Sequence, residues 1–134
     1  QLAGLGHTDG FMVCDAGFPI PEGAVRVDLA LCFGIPGLRE CLKAILEEVV
    51  VEEIAIASEM EEDNLPGSNW VNSVFQNQKK NILPQQELVQ RAERVKFFVR
   101  TGELAPYSNI ILYAASGVDT YKKSFIINPG EDFL

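Results

Sequence analysis

Short apolar runs that alternate with segments of helical spacing constrain the fold of this chain more than any other feature. The runs are rich in β-branched and aromatic residues and end at glycine, proline or charged residues, which is typical of strands. Five runs are predicted as strands: residues 11–15, 25–31, 54–57 with the residues before them, 95–100 and 110–113.

The segments between these runs predict helices. After Pro36, which suits the first turn of a helix, apolar residues recur at helical spacing: Leu38, Cys41, Leu42, Ile45, Leu46 and Val49. Residues 69–80 are predicted to be a second helix, and Pro84 begins a third. The acidic stretch 59–63 is expected to be a solvated face. This order predicts an α/β class protein, with one mixed sheet covered by helices.

Length and charge limit the number of domains and the kinds of partner. A chain of 134 residues fits one domain. The formal net charge is −8 without any basic block, so we expect no nucleic acid and no membrane as partner, because phosphate binding needs a basic surface. No apolar run reaches the roughly 20 residues that span a bilayer, and no signal peptide is visible, so we expect a cytoplasmic protein. The run that opens with Gln1 looks like the end of a helix, and we expect native residues before it.

The cysteines indicate neither a disulfide framework nor a zinc site. Cys14, Cys32 and Cys41 are odd in number and lack CxxC spacing, which is typical of reduced thiols in a cytosolic protein. A carboxylate neighbour raises the pKa of a thiol, so Cys14 beside Asp15 is predicted to be buried filler rather than a nucleophile. One histidine cannot supply a paired-histidine metal site, and no phosphate-binding glycine loop is present. We therefore expect no metal and no cofactor.

The single histidine, His7, is the first candidate for acid–base chemistry. Its ordinary pKa near 6.5 lets it give and take a proton at neutral pH. Asp15 ends the strand that follows, and five strand residues span about 17 Å. The two side chains therefore meet only if the chain folds back or a second subunit contributes one of them. A structural or surface role is the alternative for a lone histidine.

A second candidate site is the run from Arg100 to Asn109, which combines a strand end, a turn, an aromatic ring and an amide. Tyr107 can line the apolar face of a sugar ring while its hydroxyl bonds an oxygen, and Asn109 offers both donor and acceptor. Glu103 adds a carboxylate. The alternative is a polar turn with a packed tyrosine.

Four segments together resemble the D-ribose pyranase and L-fucose mutarotase family. They are LGHTD, VCDAGFPIP, VDLALCFGIP and RTGELAPYSNIIL, which occur in the family's order at residues 5–9, 13–21, 27–36 and 100–112. The resemblance implies a three-layer α/β/α domain that assembles into pentameric or decameric rings, with active sites in clefts between subunits. It makes residues 1–134 a single domain, in which residues 119–134 extend beyond the usual family end.

The resemblance also implies roles for individual residues. His7 falls on the family's proton donor and Asp15 on its substrate-binding carboxylate. The segment that holds the sugar hydroxyls corresponds to Tyr107, Ser108 and Asn109. At the position of the family's second histidine this chain has Gln85, which can bind a hydroxyl but cannot titrate.

The function implied is a cofactor-free isomerase that interconverts pyranose, furanose or anomeric forms of a monosaccharide. Arg100 before Thr-Gly-Glu and the GFPIP run resemble the ribose branch, which makes D-ribose the expected substrate. Two alternatives stay open: an L-fucose mutarotase, and a non-catalytic sugar-binding accessory protein of an uptake system, which the loss of the second histidine motivates. A purely structural interaction domain would leave the clustered His, Asp, Tyr and Asn unexplained.

Overall fold

The computed structural model of the chain describes residues 10–114, which form a six-stranded sheet and four helices. The strands are β1 (Gly10–Cys14), β2 (Arg26–Asp28), β3 (Val51–Ala57), β4 (Lys79–Leu83), β5 (Phe98–Arg100) and β6 (Ile110–Ala114). The helices are α1 (Leu38–Leu46), α2 (Glu59–Asp63), α3 (Leu65–Val74) and α4 (Gln85–Ala92). None of these helices is long and apolar enough to cross a membrane.

The sheet is mixed, and its strand order is β2-β5-β1-β6-β3-β4. β1 pairs in parallel with β5, β5 with β2, and β3 with β4, whereas β6 is antiparallel to both β1 and β3. Five strands therefore run in one direction and β6 runs in the other. The residues that follow each of the strands β1 to β5, and those that precede β6, lie at the same end of the strands. We call this end of the sheet the carboxyl edge.

Helices cover both faces of this sheet. Because side chains alternate along a strand, Phe11 and Val13 of β1 face one core, which α1, α2 and α3 complete. Met12 and Cys14 face the other core, which α4 completes. The Phe11 ring stacks on that of Phe97, with centroids 4.9 Å apart. The expected α/β fold with a helix layer on each side of a mixed sheet is confirmed.

The structure corrects the predicted helix over residues 69–80. α3 begins earlier, at Leu65, because the Asn64 side chain accepts a hydrogen bond from the Gly67 N–H and so caps the first turn. α3 ends at Val74, and the chain then enters β4, which was not predicted. β4 is polar and partly exposed because it is an edge strand, so its sequence lacks the apolar signal of the central strands.

Smaller differences concern element ends. The two runs at 25–31 and 95–100 are strands only over the three residues of β2 and of β5. α1 begins at Leu38 rather than at Pro36, and the acidic stretch 59–63 is a short helix whose Met60 is buried.

Candidate functional site

Asp15 lies on the carboxyl edge, directly after the central strand β1. Its main-chain N–H donates a hydrogen bond of 2.8 Å to Oδ1 of Asn109, which precedes β6. Its own carboxylate accepts a bond of 3.1 Å from the Gly17 N–H, which fixes the orientation of the side chain. Burial raises the pKa of the Asp15 carboxyl above its ordinary value, against the opposing effect of hydrogen bonds with Gly17 and Asn109. The structure thus brings Asp15 and Asn109 together.

The segment 107–109 enters β6 from the same edge. Tyr107 has φ of 57°, in the left-handed region that residues other than glycine seldom adopt, and its half-buried side chain packs against both cores. Ser108 and Asn109 are each only 2% exposed. The Ser108 hydroxyl accepts a bond of 3.0 Å from the side-chain amide of Asn64, so it is already engaged within the protein.

Gln85 lies at the same edge of the sheet but on a distant strand. It begins α4 after β4, and β6 and β3 separate β4 from β1, so Gln85 is about three strand spacings, or ~14 Å, away from Asp15 in the sheet direction. Its main-chain N–H donates to Oε1 of Glu59 at 2.9 Å, and the Ser58 hydroxyl donates to the same oxygen. The side-chain Oε1 of Gln85 is buried and has no hydrogen-bond partner within residues 10–114.

The loop after β5 is hydrogen-bonded to the residues on either side of Asp15 and to the start of α1. The sequence did not predict these contacts. Thr101 is fully buried, and both its hydroxyl and its N–H donate to the carbonyl of Cys14, at 2.8 and 3.0 Å. The Ala16 N–H donates to the carbonyl of Glu103 at 3.0 Å. The Glu103 carboxylate accepts from the N–H of Leu38 and from the N–H of Ala105, so it fastens the start of α1 to this loop. Glu103 has a structural role here.

A concave space of about 310 Å³ opens at Ala16, the residue that follows Asp15, on the side of the edge strand β2. Its lining residues come from the end of β5 and from the loops after β1, β2 and β5: Ala16, Ala30, Cys32, Phe33, Arg100 and Gly102. The loop after β2 carries Leu31 and Phe33, whose side chains are 81% and 85% exposed. Exposed apolar side chains grouped in this way are typical of an interaction surface.

Cys14 is buried filler, as predicted. Burial first, and then the Asp15 charge, raise the pKa of its thiol to about 12, so it stays protonated and unreactive at neutral pH. Cys14, Cys32 and Cys41 are all free thiols. Within residues 10–114 no three His, Cys, Asp or Glu side chains form a group that could hold a metal ion. His7 and residues 119–134 lie outside the described residues.

The fold and these contacts define an α/β protein in which a carboxylate, an amide and a tyrosine converge on the carboxyl edge of a mixed sheet. The chain belongs to the RbsD / FucU transport protein family, whose model matches residues 1–118. The resemblance carried by the four sequence segments is therefore confirmed.

Curated relatives and solved structures agree with this assignment. The chain is 50% identical to D-ribose pyranase 1 of Rubrobacter xylanophilus over 111 residues. The matched region covers 83% of this chain and 84% of the relative. It is 42% identical over 113 residues to the D-ribose pyranase of Bacillus licheniformis, covering 84% and 86%. Bacillus subtilis RbsD, solved with D-ribose, is similar with a TM-score of 0.78 and 35% identity over 84% of this chain and 86% of that one.

A more distant likeness supports the fold alone. The fucose mutarotase of Streptococcus pneumoniae, solved with L-fucose, matches with a TM-score of 0.63 at 20% identity, over 79% of this chain and 81% of that chain.

Proposed function

We propose that this chain is a cofactor-free isomerase that interconverts ring forms or anomers of D-ribose, as a D-ribose pyranase. The observation that carries the proposal is the hydrogen bond that joins Asp15 to Asn109 beside Tyr107. These three residues are among those that the family pattern assigns to sugar binding. Relatives named D-ribose pyranase at 42% and 50% identity, and a neighbour solved with D-ribose, favour ribose as the substrate.

The reaction needs proton transfer and hydroxyl binding, which these residue types supply. Opening a sugar ring requires a proton for the ring oxygen and removal of a proton from the anomeric hydroxyl. Positioned acid–base groups accelerate such steps by about 10²–10⁴-fold. We assign the proton-donor role to His7 from the family pattern. Asp15 accepts sugar hydroxyls, and its partial burial strengthens those hydrogen bonds, because the surroundings are less polar than water.

The remaining groups complete the binding site. Tyr107 supplies an aromatic face, and Asn109 supplies an amide whose oxygen is held by the N–H of Asp15. Ser108 belongs to the same segment and braces it through Asn64. Gln85, whose Oε1 has no hydrogen-bond partner among the described residues, binds a further hydroxyl in place of the family's second histidine.

We further propose that the active protein is a homo-oligomeric ring, a pentamer or decamer, in the cytoplasm. Gln85 and Asp15 are about three strand spacings, or ~14 Å, apart along the carboxyl edge, which favours a site that a neighbouring subunit completes. The exposed Leu31 and Phe33, next to the concave space at Ala16, support an interface at this place. The free thiols support a reducing compartment.

Saturation-transfer NMR on equilibrated D-ribose and L-fucose tests the proposed function. Exchange of D-ribose between ring forms faster than the spontaneous rate is the expected result. Exchange confined to L-fucose would make the protein a fucose mutarotase instead. Binding of D-ribose without faster exchange would make it a sugar-binding accessory protein, a role that the non-titrating Gln85 favours.

A further inference from the structure

The side chain of Asn64 joins two parts of the molecule that are far apart in sequence. It is 8% exposed, and its Oδ1 accepts from the Gly67 N–H at 3.2 Å to cap α3. Its Nδ2 donates to the carbonyl of Pro106 at 3.1 Å and to the hydroxyl of Ser108 at 3.0 Å. The amide oxygen therefore caps α3, and the amide nitrogen binds the loop before β6.

The two acceptors on that loop flank Tyr107. A bulky residue at a φ of 57° is unfavourable in isolation, and such a conformation persists only where the surroundings impose it. The Nδ2 of Asn64 bonds the main-chain carbonyl of the residue before Tyr107 and the side-chain hydroxyl of the residue after it, so it holds the segment on both sides of the strained position.

The packing around Asn64 leaves no room for a side chain at position 67. Gly67 faces the amide, and a Cβ atom at that position would lie 2.5 Å from Nδ2. A side chain there would push the amide away from the loop. The next residue along the loop, Asn109, holds Asp15, so a shift at Tyr107 would move the groups that surround the sugar.

We propose that Asn64 is a positioning residue for sugar binding. Its amide holds Tyr107 in the left-handed conformation that places the ring beside Asn109 and Asp15, and it does not itself touch the sugar. The proposal rests on the sugar-binding role of Tyr107 in the proposed function. Loss of the two donated bonds lets Tyr107 relax towards negative φ, and misplacement of a binding group by about 1 Å can cost up to about a hundredfold.

The substitution Asn64→Asp separates the two tasks of this side chain. Aspartate caps a helix as well as asparagine does, so α3 keeps its capping oxygen, while the bond donated to the Pro106 carbonyl is lost and the Ser108 hydroxyl can bond position 64 only by donating. Asn72→Asp is the matched control, because it makes the same chemical change at an exposed position of the same helix. We expect Asn64→Asp to weaken D-ribose affinity by about tenfold or more, and Asn72→Asp to leave it unchanged.

A double-mutant cycle with Tyr107→Ala distinguishes a positioning role of Asn64 from a merely structural one. It measures the effect of Asn64→Asp on D-ribose affinity with and without the tyrosine. If Asn64 acts through Tyr107, Asn64→Asp weakens affinity in the wild-type background and adds nothing in the Tyr107→Ala background. Equal losses in both backgrounds would overturn the proposal. Should Asn64→Asp not fold, Asn64→Ser takes its place in the same cycle, since serine caps the helix without an amide to donate.

The single variants distinguish the failure of this inference from that of the proposed function. If Tyr107→Ala weakens D-ribose binding but neither Asn64 variant does, only the positioning role is wrong. If Tyr107→Ala leaves affinity unchanged, Tyr107 does not bind sugar, and the proposed site and the role of Asn64 are overturned together.

Discussion

The N–H of Asp15 and the side-chain oxygen of Asn109 are hydrogen-bonded at 2.8 Å, although 94 positions separate them in the sequence. The bond forms because β1 and β6 are adjacent and antiparallel, so the residue that leaves one strand meets the residue that enters the other. The reversed strand β6 thereby places an amide next to a carboxylate at the carboxyl edge.

Replacement of the carboxylate should weaken sugar binding. Asp15→Asn keeps an oxygen for the Gly17 N–H but loses the charge and the second acceptor, and hydrogen bonds to charged groups contribute about 1.5–3 kcal/mol. We expect D-ribose affinity, measured by calorimetry, to fall by about tenfold or more. Asp28→Asn is the control on the same edge, where the half-exposed ion pair with Arg100 contributes at most about 1 kcal/mol to stability. An unchanged affinity in Asp15→Asn removes Asp15 from the site.

The same variant should change stability with pH in a defined direction. Burial raises the folded-state pKa of Asp15 above the ordinary 3.8, so the folded protein binds this proton more tightly than the unfolded chain does. The contribution of Asp15 to stability therefore falls as pH rises from 3.8 through the folded-state pKa. Asp15→Asn should be the more stable protein at pH 7, and the difference should vanish below pH 3.8. Urea unfolding of both proteins across this range measures it, and a variant less stable at pH 7 contradicts it.

Gln85→His should add a titratable group where the family pattern has one. The side-chain Oε1 of Gln85 has no hydrogen-bond partner among residues 10–114, so its removal breaks no bond within them. We expect faster ribose exchange with a new dependence on pH near 6.5, because histidine titrates there. Saturation transfer from pH 5 to 8 measures the effect, with Gln86→His as the exposed neighbour control. An unchanged pH profile would show that position 85 does not reach the reacting atoms.

Buried apolar strands can be predicted from the sequence, whereas edge strands and polar side chains with long-range contacts cannot. β1 and β6 are buried along their full lengths, so their apolar runs are unmistakable, and they deliver Asp15 and Asn109. β4 was missed because an edge strand that reads Lys-Lys-Asn needs no apolar face. Asn64 looked like an ordinary polar residue, since its contacts lie 42 and 44 positions away and only the folded chain reveals them.

His7→Ala should remove most exchange activity while leaving the fold intact. It is the one histidine of the chain, and no other side chain has an ordinary pKa near neutrality. Mixing inactive His7→Ala subunits with inactive Tyr107→Ala subunits should restore part of the activity if neighbouring subunits supply these two residues to one site. Wild-type exchange rates in His7→Ala would contradict the proton-donor role. Oligomers without complementation would place both residues on the same chain.

A charged residue introduced into the loop after β2 should dissociate the subunits and, as a result, abolish activity. Phe33 is 85% exposed and lines the concave space at Ala16, so Phe33→Asp would place a carboxylate in the proposed interface. We expect sedimentation velocity to show a ring for the wild type and a smaller species for the variant, with loss of ribose exchange.

Val50→Asp is the matched control for this charge. Val50 is also an exposed apolar residue, but it precedes β3 and therefore lies at the opposite edge of the sheet. It should leave both the assembly and the exchange rate unchanged. If Phe33→Asp lowers the sedimentation coefficient and activity persists, each subunit holds a complete site, and Gln85 does not act on the same sugar as Asp15. A wild-type monomer with full activity would overturn the ring itself.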